Sequence, residues 1–396
     1  MQLPLEGLRI LTLEQYGAGP YCSMFLADMG AEVIKIENPS SGGDFARATG
    51  PYFLGENDSQ YFQTFNLNKR SLTLNLKTED GQEVLKKLVK DSDAIINNMR
   101  GNQPAKLGID YAGLKDVNSA IVCGHISAYG RDTSRAAWPG YDYLMQAEAG
   151  FLSVTGEPDG PPARFGLSIV DFMTGTMMAY GVAAAIIKAQ RSGEGGDVDV
   201  SLMEAALHQL TYPGIWYLND GLETGRAPRG AHPSVTPSQL VKSKDGWVFI
   251  MCQNPKFWDL MVGGLENEDL SQDPRFKDLA ARLENRDELT RMLDDVFSQK
   301  TTDEWVEQFK GVLPISPVYD IAQALDNPFI QETGMITTVN HPDRQDLRVL
   351  RNPIKLDGER LPARSAPKLG ADTEDLLREI GYDESRISEL RKSGAI

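Results

Sequence analysis

The stretch LRILTLEQYGAGPYCSMFLADMGAEVIKIE, residues 8–37, decides the fold. It opens with LRILTL (8–13), a short apolar run that predicts a buried strand. GAGP (17–20) is typical of a turn, and Pro20 is well placed to open the helix that runs on through YCSMFLADMG. AEVIKIE (31–37) predicts the next strand. The stretch therefore predicts one strand–helix–strand unit.

The same alternation continues along the chain. SLTLNL (71–76) predicts a strand, the amphipathic EDGQEVLKKLVKDS (79–92) a helix, and AIINNM (94–99) and AIVCGHISAYG (120–130) two further strands. Strands that alternate with helices indicate an α/β fold with a parallel, Rossmann-like sheet. The turn GAGPYC lacks the third glycine of the GxGxxG pattern, so we do not expect a dinucleotide site.

A second region begins near residue 223. ETGRAPRGAHPSVTPSQ (223–239) is rich in Pro, Gly and Ser and predicts a linker, and LVKSKDGWVFIMC (240–252) predicts a hairpin. Amphipathic helical segments follow, and the chain closes with a predicted helix over 372–392. We therefore predict a large α/β domain built from 1–222 and 331–396, with a smaller α+β domain over 223–330.

Composition and charge exclude several classes of function. The net charge of −16 over 396 residues argues against binding nucleic acid or an anionic membrane surface. Local basic groups in NLNKRS (66–71) and KLVK (87–90) still allow a pocket for an anionic ligand. No uninterrupted apolar run reaches about 18 residues, and the start of the chain lacks signal-peptide features, so we expect a cytoplasmic protein. Three cysteines and four scattered histidines predict no disulfide framework and no metal site.

One aspartate, Asp171, ends a short apolar run and is followed at once by a long stretch rich in small residues, within GLSIVDFMTGTMMAYGVAAAII (166–187). Asp171 fits the N-cap of a helix, because its carboxylate can accept hydrogen bonds from free N–H groups. It also stands at a predicted strand–helix junction, where α/β sheets place their ligands. Gly175, Ala179 and Gly181 keep the helix thin, which allows another backbone or a ligand to approach closely. Both a capping and a functional role remain open from this segment alone.

Longer motifs extend over nearly the whole chain. They are LPLEGLRILTLEQYGAGPYCSMFLADMGAEVIKIENP (3–39), FNLNKRSLTLNLKTEDG (65–81), NNMRGNQPAKLGIDYAGL (97–114), GYDYLMQAEAGFLSVTGEPDGPPARFGLSIVDFMTGTMMAYGVAAAI (140–186), QRSGEGGDVDVSLMEAAL (190–207) and HPSVTPSQLVKSKDGWVFI (232–250). In this order and spacing they resemble the class III CoA-transferases, which include formyl-CoA and carnitine CoA-transferases.

The resemblance implies a mechanism and a set of ligands. Asp171 would be the nucleophile that passes CoA from an acyl-CoA, for example succinyl-CoA, to a small carboxylic acid through covalent aspartyl intermediates, without metal or redox cofactor. It also implies an interlocked homodimer in which two ring-shaped chains thread each other. The implied CoA contacts are Gly17, Ala18, Leu74, Asn75, Leu76, Lys77, Asn98, Met99, Arg100, Lys106, Pro139, Gly140, Tyr141 and Asp142.

Three positions depart from the formyl-CoA transferase pattern. Gly17 stands where those enzymes carry a glutamine near the reacting carboxylate, and Asn38 replaces an arginine. Lys106 replaces an arginine on the CoA phosphates, which keeps the charge but loses the two-pronged hydrogen-bonding geometry. These differences argue against specificity for formyl-CoA and oxalate.

Two alternative functions remain. The α-methylacyl-CoA racemases are similar but use a histidine in a GHD motif, where this chain has Tyr141. Tyrosine is a poor proton shuttle at neutral pH, because its ordinary pKa lies near ~10. A protein that binds acyl-CoA without catalysis would have no need of Asp171 in its full motif. We therefore favour the transferase, and the sequence leaves the donor and acceptor acids open.

Overall fold

The computed structural model describes residues 2–396, apart from the side chain of Glu268, so residue 1 of the predicted large domain lies outside the described part. The chain forms two compact units. The first contains the residues up to Ala149 together with Gly166–Leu210 and Phe329–Ile396, and the second contains Gly150–Phe165 and Thr211–Pro328.

These units differ from the predicted domains in three stretches, of which the shortest, residues 329–330, is predicted in the small domain and belongs to the first unit. Residues 150–165 and 211–222, which the sequence analysis assigns to the large domain, belong to the second unit. Hydrogen bonds within that unit explain part of the difference, because the Arg226 guanidinium donates to the carbonyl oxygens of Glu157 (3.0 Å) and Gly160 (2.6 Å). The proposed division into two domains itself stays a prediction.

A six-stranded, all-parallel sheet forms the centre of the first unit, which confirms the predicted α/β class. Its strand order is β3-β2-β1-β4-β5-β6, the order of a Rossmann-type sheet. The strands are β1 (Arg9–Leu13), β2 (Glu32–Glu37), β3 (Arg70–Thr73), β4 (Ala94–Asn97), β5 (Val122–Ser127) and β6 (Gly196–Ser201).

Strand β1 lies in the middle of the sheet. Ile10 is opposite Val33 of β2 on one side and Ala94 of β4 on the other. Ile10 and Leu11 are completely buried, which is the pattern of a parallel strand covered on both faces. The apolar run that predicts this strand therefore marks the centre of the sheet.

Each unit has its own helices. Those of the first unit up to residue 210 are α1 (Ala18–Asp28), α2 (Gln60–Asn66), α3 (Glu79–Lys90), α4 (Pro104–Leu107), α5 (Tyr111–Leu114), α6 (Asp142–Glu148), α7 (Ile169–Ser192) and α8 (Leu202–His208). In the second unit they are α9 (Thr211–Asp220), α10 (Pro255–Leu265), α11 (Glu268–Gln272), α12 (Leu279–Glu284), α13 (Arg286–Phe297), α14 (Thr302–Phe309) and α15 (Ile321–Asp326). The last are α16 (Pro328–Thr333), α17 (Thr373–Glu379) and α18 (Glu384–Lys392).

Helix α7 packs against α1, β5 and β6. A side chain at Gly175 would place its Cβ 2.7 Å from the Ala18 carbonyl oxygen, so glycine is needed for the two helices to approach. By length and composition alone α7 could cross a membrane, but its Val170, Met178 and Val182 are buried in the first unit. Its apolar character is that of a core helix.

The second unit has its own sheet and core. Strands β7 (Ser238–Lys242), β8 (Trp247–Met251) and β9 (Ile315–Pro317) pair antiparallel, which confirms the hairpin predicted over 240–252. Val248, Ile250 and residues of helices α10, α13 and α14 form its core.

Elements outside the predicted set complete the first unit. Besides β6, the sequence analysis misses the antiparallel pairs β10 (Ile336–His341) with β11 (Arg344–Leu350), and β12 (Lys355–Leu356) with β13 (Glu359–Arg360). The single helix predicted over 372–392 is wrong in one respect: Gly381 has φ +87° and separates α17 from α18.

Candidate active site

The candidate site lies at the carboxyl ends of β1 and β4, where the strand order reverses direction along the sheet. Open α/β sheets bind ligands in the crevice at such a point. The loop after β1 and the loop after β4 are tied together there. The Gln15 N–H donates to Asn98 Oδ1 (2.9 Å), and Asn98 Nδ2 donates to the Gln15 carbonyl oxygen (2.7 Å).

Asp171 lies in the first turn of α7, as its third residue. The N-cap position belongs to Ser168, so the interpretation of Asp171 as the N-cap is wrong. No strand precedes it within the described residues 154–168 either, because this segment runs without regular structure to the start of the helix at Ile169. Asp171 is thus free of the capping role that its sequence context suggests.

Gly17 lies directly against the Asp171 carboxylate. A Cβ on Gly17 would be 2.4 Å from Asp171 Oδ2, which is closer than two nonbonded atoms can approach. The turn between β1 and α1 therefore has no room for the glutamine of the formyl-CoA transferase pattern while the carboxylate keeps this position. Because residue 17 is a glycine, the Asp171 carboxylate can lie against this turn.

Two side chains of α6 hold the start of α7. Asp142 is 4% exposed, and its Oδ2 accepts a hydrogen bond from the Asp171 N–H (2.9 Å). Gln146 Nε2 donates to Asp142 Oδ1 (2.6 Å) and to the carbonyl oxygen of Leu167 (3.1 Å). Asp142 and Gln146 together fix the backbone on which the Asp171 side chain stands.

The environment raises the pKa of Asp171 to about 7. Burial is the main cause, because it disfavours the charged carboxylate, and the neighbouring Asp142 carboxylate adds like-charge repulsion. Half of the Asp171 side chains are then ionised near neutral pH. A carboxyl group poised in this way is typical of a catalytic residue.

Three tyrosines for which the sequence predicts no role, Tyr16, Tyr61 and Tyr143, line the same cavity as Asp171. Tyr16 precedes Gly17, adopts φ +69° and donates its N–H to Asp44 Oδ1 (3.0 Å). Its ring lies 5.0 Å from that of Tyr61. Burial, then the neighbouring Tyr16 and Asp171, raise the pKa of Tyr61, and Tyr143 adds to the rise. The signal for Tyr16 and Tyr143 in the sequence is their position beside Gly17 and Asp142.

A buried network of charges supports the loop after β1. Lys35 Nζ lies 2.8 Å from Asp44 Oδ2 and donates to the Glu14 carbonyl oxygen (2.9 Å). Lys69 Nζ lies 2.8 Å from Glu14 Oε1, and these side chains are completely buried. Burial lowers the pKa of Lys69 to about 8. Lys69 of the NLNKRS cluster is therefore occupied with holding this loop, and is not a surface cation.

One cavity of about 1830 Å³ contains Asp171, and all of its lining residues belong to the first unit. This volume exceeds the usual range of ~300–1,000 Å³ for small-molecule pockets. The structure brings most of the predicted contact residues to its wall. These are Gly17, Ala18, Leu74, Asn75, Leu76, Lys77, Asn98, Met99, Arg100, Pro139, Gly140, Tyr141 and Asp142.

Lys106 is the predicted contact that does not line this cavity. It is exposed on α4, between Gln103 and Leu107, which do line it. Exposed cations on the wall itself are Lys77, in the loop after β3, and Arg100, in the loop after β4. In the described part of the chain, no cluster of His, Cys, Asp or Glu side chains has the arrangement of a metal site.

Comparisons with known proteins agree with this geometry. Residues 5–373 match CoA-transferase family III. An acyl-CoA transferase of Fusarium pseudograminearum is 33% identical over 99% of this chain and 88% of its own length. The succinate–glutarate CoA-transferase of Agrobacterium fabrum is 32% identical over 95% of this chain and 96% of its own length.

A solved structure supports the fold across the chain. The CAIB/BAIF family protein of Brucella suis superposes with a TM-score of 0.84 at 31% identity. The match covers 96% of this chain and all of the Brucella chain. The agreement in fold and sequence therefore extends across both compact units.

Proposed function

Because the chain belongs to CoA-transferase family III and transfers CoA between an acyl-CoA and a carboxylic acid, we propose that Asp171 is the nucleophile of this transfer. The observation that carries the proposal is the position of its carboxylate: against Gly17, at the crevice of the sheet, in a large cavity. Its raised pKa supports the same role, since a more basic carboxylate is a better nucleophile.

The proposed first half-reaction moves CoA onto the protein. An Asp171 oxygen attacks the thioester carbonyl and the C–S bond breaks. CoA leaves as a thiolate, and the acyl group stays on Asp171 as a mixed anhydride. The thiolate then attacks the Asp171 carbonyl of the anhydride, and the donor acid leaves as a carboxylate. The product is an aspartyl-CoA thioester, so the energy of the original thioester is retained.

The second half-reaction repeats these steps in reverse order. The acceptor carboxylate attacks the aspartyl thioester and expels the CoA thiolate. This step leaves a second anhydride, between the acceptor and Asp171. Attack of the thiolate on the acceptor's carbonyl breaks the anhydride and releases the new acyl-CoA with Asp171 as carboxylate. The N-terminus of the long helix α7 favours negative charge at this position in each anionic step.

Coenzyme A is proposed to lie along the carboxyl edge of the sheet. Leu74–Lys77 follows β3, Asn98–Arg100 follows β4, and Pro139–Asp142 leads into α6. Lys77 and Arg100 suit the phosphates, because charge-assisted hydrogen bonds to phosphate are stronger than neutral ones. Ala18 and Leu74 are almost completely buried, so they would contribute shape and backbone groups. Lys106 keeps a proposed role only at the outer end of the ligand.

The substrate pair is proposed from the relatives. The Agrobacterium protein is named for succinate and glutarate, and a mouse relative at 32% identity is named succinyl-CoA:glutarate CoA-transferase. We therefore propose succinyl-CoA as donor and a short dicarboxylic acid as acceptor.

A racemase is less well supported by the site. His125 is 1% exposed, its Nδ1 lies 2.8 Å from Asn97 Nδ2, and its Nε2 lies 2.9 Å from Asp197 Oδ1. Both of its ring nitrogens are thus engaged within the sheet. The position of the racemase histidine holds Tyr141, so a second acid/base group is missing from that place in the motif.

Assembly and location also belong to the proposal. We expect a homodimer, and the interlocked arrangement implied by the family resemblance stays a prediction. Helix α9 supports a dimer, because it has no buried residue although Ile215 and Leu218 are apolar. Cytoplasmic location likewise stays a prediction from the sequence.

Chemical trapping tests the role of Asp171. The enzyme is incubated with succinyl-CoA and hydroxylamine, and the hydroxamate is located by peptide mass spectrometry. We expect it on Asp171 of the natural sequence, none in Asp171→Asn, and a loss of transfer by at least about a thousandfold in that variant. Substantial transfer by Asp171→Ala would refute the assignment.

Asp28 provides the matched control. It lines the same cavity, and burial raises its pKa as well. Asn68 Nδ2 (2.6 Å) and Asn352 Nδ2 (2.9 Å) donate to it, so it has a structural explanation. Asp28→Asn is expected to keep the hydroxamate on Asp171.

A further inference from the structure

We propose that the hydroxyls of Tyr16 and Tyr143 bind the remote carboxylate of a dicarboxylic acid while its other carboxylate reacts at Asp171. The inference rests on the proposed function, and it adds the residues that select the substrate. It concerns a part of the cavity to which the sequence analysis assigns no role.

Each of the two tyrosines is the neighbour in the chain of a residue that contacts Asp171. Tyr16 directly precedes Gly17, which lies against the Asp171 carboxylate. Tyr143 directly follows Asp142, which accepts the Asp171 N–H. Both line the cavity, with 41% of Tyr16 and 44% of Tyr143 exposed. A phenol is thus presented to the cavity from each of the two elements that position the reacting carboxylate.

The conformation of Tyr16 supports a function at this position. A non-glycine residue in the left-handed region is strained, and such strain collects at functional sites. Tyr16 is held there by the hydrogen bond from its N–H to Asp44 Oδ1, and Asp44 is fixed by the buried Lys35. The protein therefore maintains a buried ion pair that supports the backbone of Tyr16, a residue that lines the cavity.

The surrounding surface suits a short hydrocarbon between two carboxylates. The Tyr61 ring lies 5.0 Å from Tyr16 and 5.4 Å from Phe65, and Phe65 lies 5.8 Å from Phe172, which follows Asp171. Apolar carbon atoms thus connect Tyr16 with the reacting centre. The carboxylate of the acid is an acceptor, and phenol hydroxyls are neutral donors that remain protonated at neutral pH.

The effect of losing one such hydroxyl can be stated as a ratio. Hydrogen bonds to a charged group contribute about 1.5–3 kcal/mol, so removing one is expected to lower specificity by about 10- to 100-fold. The measurement is kcat/KM for glutarate divided by kcat/KM for valerate, which has the same carbon chain but lacks the remote carboxylate. Because both acids accept CoA from the same succinyl-CoA, effects on the donor cancel in the ratio.

Tyr16→Phe and Tyr143→Phe are each expected to lower this ratio at least about tenfold while kcat/KM for valerate stays near that of the natural sequence. Preserved valerate activity shows that the fold and Asp171 are intact. Tyr180→Phe is the matched control, because Tyr180 is 78% exposed on α7 and does not line the cavity. Its ratio is expected to remain unchanged.

Two results would overturn the inference. An unchanged ratio in both tyrosine variants, or a ratio near one in the natural sequence, would show that these hydroxyls do not select a remote carboxylate. Either result leaves CoA transfer itself in place. Absence of transfer from succinyl-CoA to every acid tested would contradict the proposed function, and the inference with it.

Discussion

At the scale of single residues, Asp171 combines two opposing requirements. Burial and the Asp142 carboxylate raise its pKa to about 7, which makes the anion more nucleophilic but reduces the ionised fraction at neutral pH. The hydrogen bond from the Asp171 N–H to Asp142 Oδ2 brings the two carboxylates together. Asp142 therefore both positions Asp171 and increases its basicity.

The raised pKa gives a prediction for the pH dependence of transfer. Only the ionised carboxylate attacks, so kcat/KM for acyl-CoA should rise with pH through a midpoint near the pKa of about 7 and level off above it. One pH unit below the midpoint, about a tenth of the maximal value should remain. The measurement is the initial rate at low acyl-CoA concentration between pH 5 and 9.

Asp142→Asn tests the cause of this midpoint. Its amide removes the like charge that raises the pKa of Asp171, so the midpoint should move to lower pH. A rate that stays level down to pH 5 in the natural sequence would contradict the assignment of a raised pKa to the nucleophile.

The sequence could predict Asp171 because its motif is local and carries the family resemblance. It could not predict that Tyr16 lines the cavity, because the conformation of Tyr16 depends on a positive φ and on Asp44, which is distant in the sequence. The buried position of Lys69 could not be predicted for the same reason, because only the fold brings its partner Glu14 to it.

At the scale of elements, the last helix is docked beside a proposed CoA contact. The Asn75 N–H donates to the Ala395 carbonyl oxygen (2.7 Å), and Ala395 is completely buried. Two residues earlier in the chain, Ser393 Oγ donates to Asp80 Oδ2 (2.9 Å) at the start of α3. Residues 394–396 therefore hold the loop Leu74–Lys77 in place.

A chain shortened to end at Ser393 is expected to bind acyl-CoA more weakly. Loss of the hydrogen bond and of the packing of Ala395 should raise the KM for acyl-CoA about 5- to 30-fold, the equivalent of about 1–2 kcal/mol. The turnover number should change little, because Asp171 stands on α7. Steady-state kinetics with varied succinyl-CoA provide both values.

The control for this truncation is Ser393→Ala, which removes the bond to Asp80 but leaves the Asn75–Ala395 bond in place. Its KM should stay close to that of the natural sequence. If the shortened chain folds and keeps its KM, residues 394–396 do not position the CoA loop.

Elements with a clear periodic pattern were predictable, and those defined by distant pairing were not. The run LRILTL predicts β1 because a buried parallel strand is continuously apolar. Strand β6 is not continuously apolar, because Asp197 and Asp199 alternate with valines, and its pairing with β5 joins residues far apart in the sequence. Gly381 breaks the last helix because its φ of +87° cannot continue a right-handed helix.

At the scale of the whole molecule, the placement of the small residues of α7 changes one expectation. The sequence suggests that Gly175 serves the close approach of a partner chain. In the structure Gly175 faces the Ala18 carbonyl oxygen of α1 in the same chain. Contact with a second copy is therefore better sought on apolar side chains that remain exposed.

Helix α9 provides such a surface within the second unit. It has no buried residue, and Ile215, Tyr217 and Leu218 are 57%, 58% and 76% exposed. In the first unit, Tyr180 and Ile187 of α7 are 78% and 50% exposed. Exposed apolar side chains grouped on one helix, as on α9, mark interaction sites. We expect a second copy of the chain to cover α9.

Light scattering over a wide range of dilutions tests this expectation, with a dimer of twice the chain mass of 43.7 kDa as the expected species. Leu218→Glu should cause dissociation or loss of folded protein, since a charge would be buried in the interface. Val312→Glu is the control, because a lone exposed apolar side chain is ordinary on a protein surface. If the dimer persists until the protein unfolds, its stability is inseparable from association. A folded, active monomer at every concentration would refute the dimer and, with it, the interlocked arrangement implied by the resemblance.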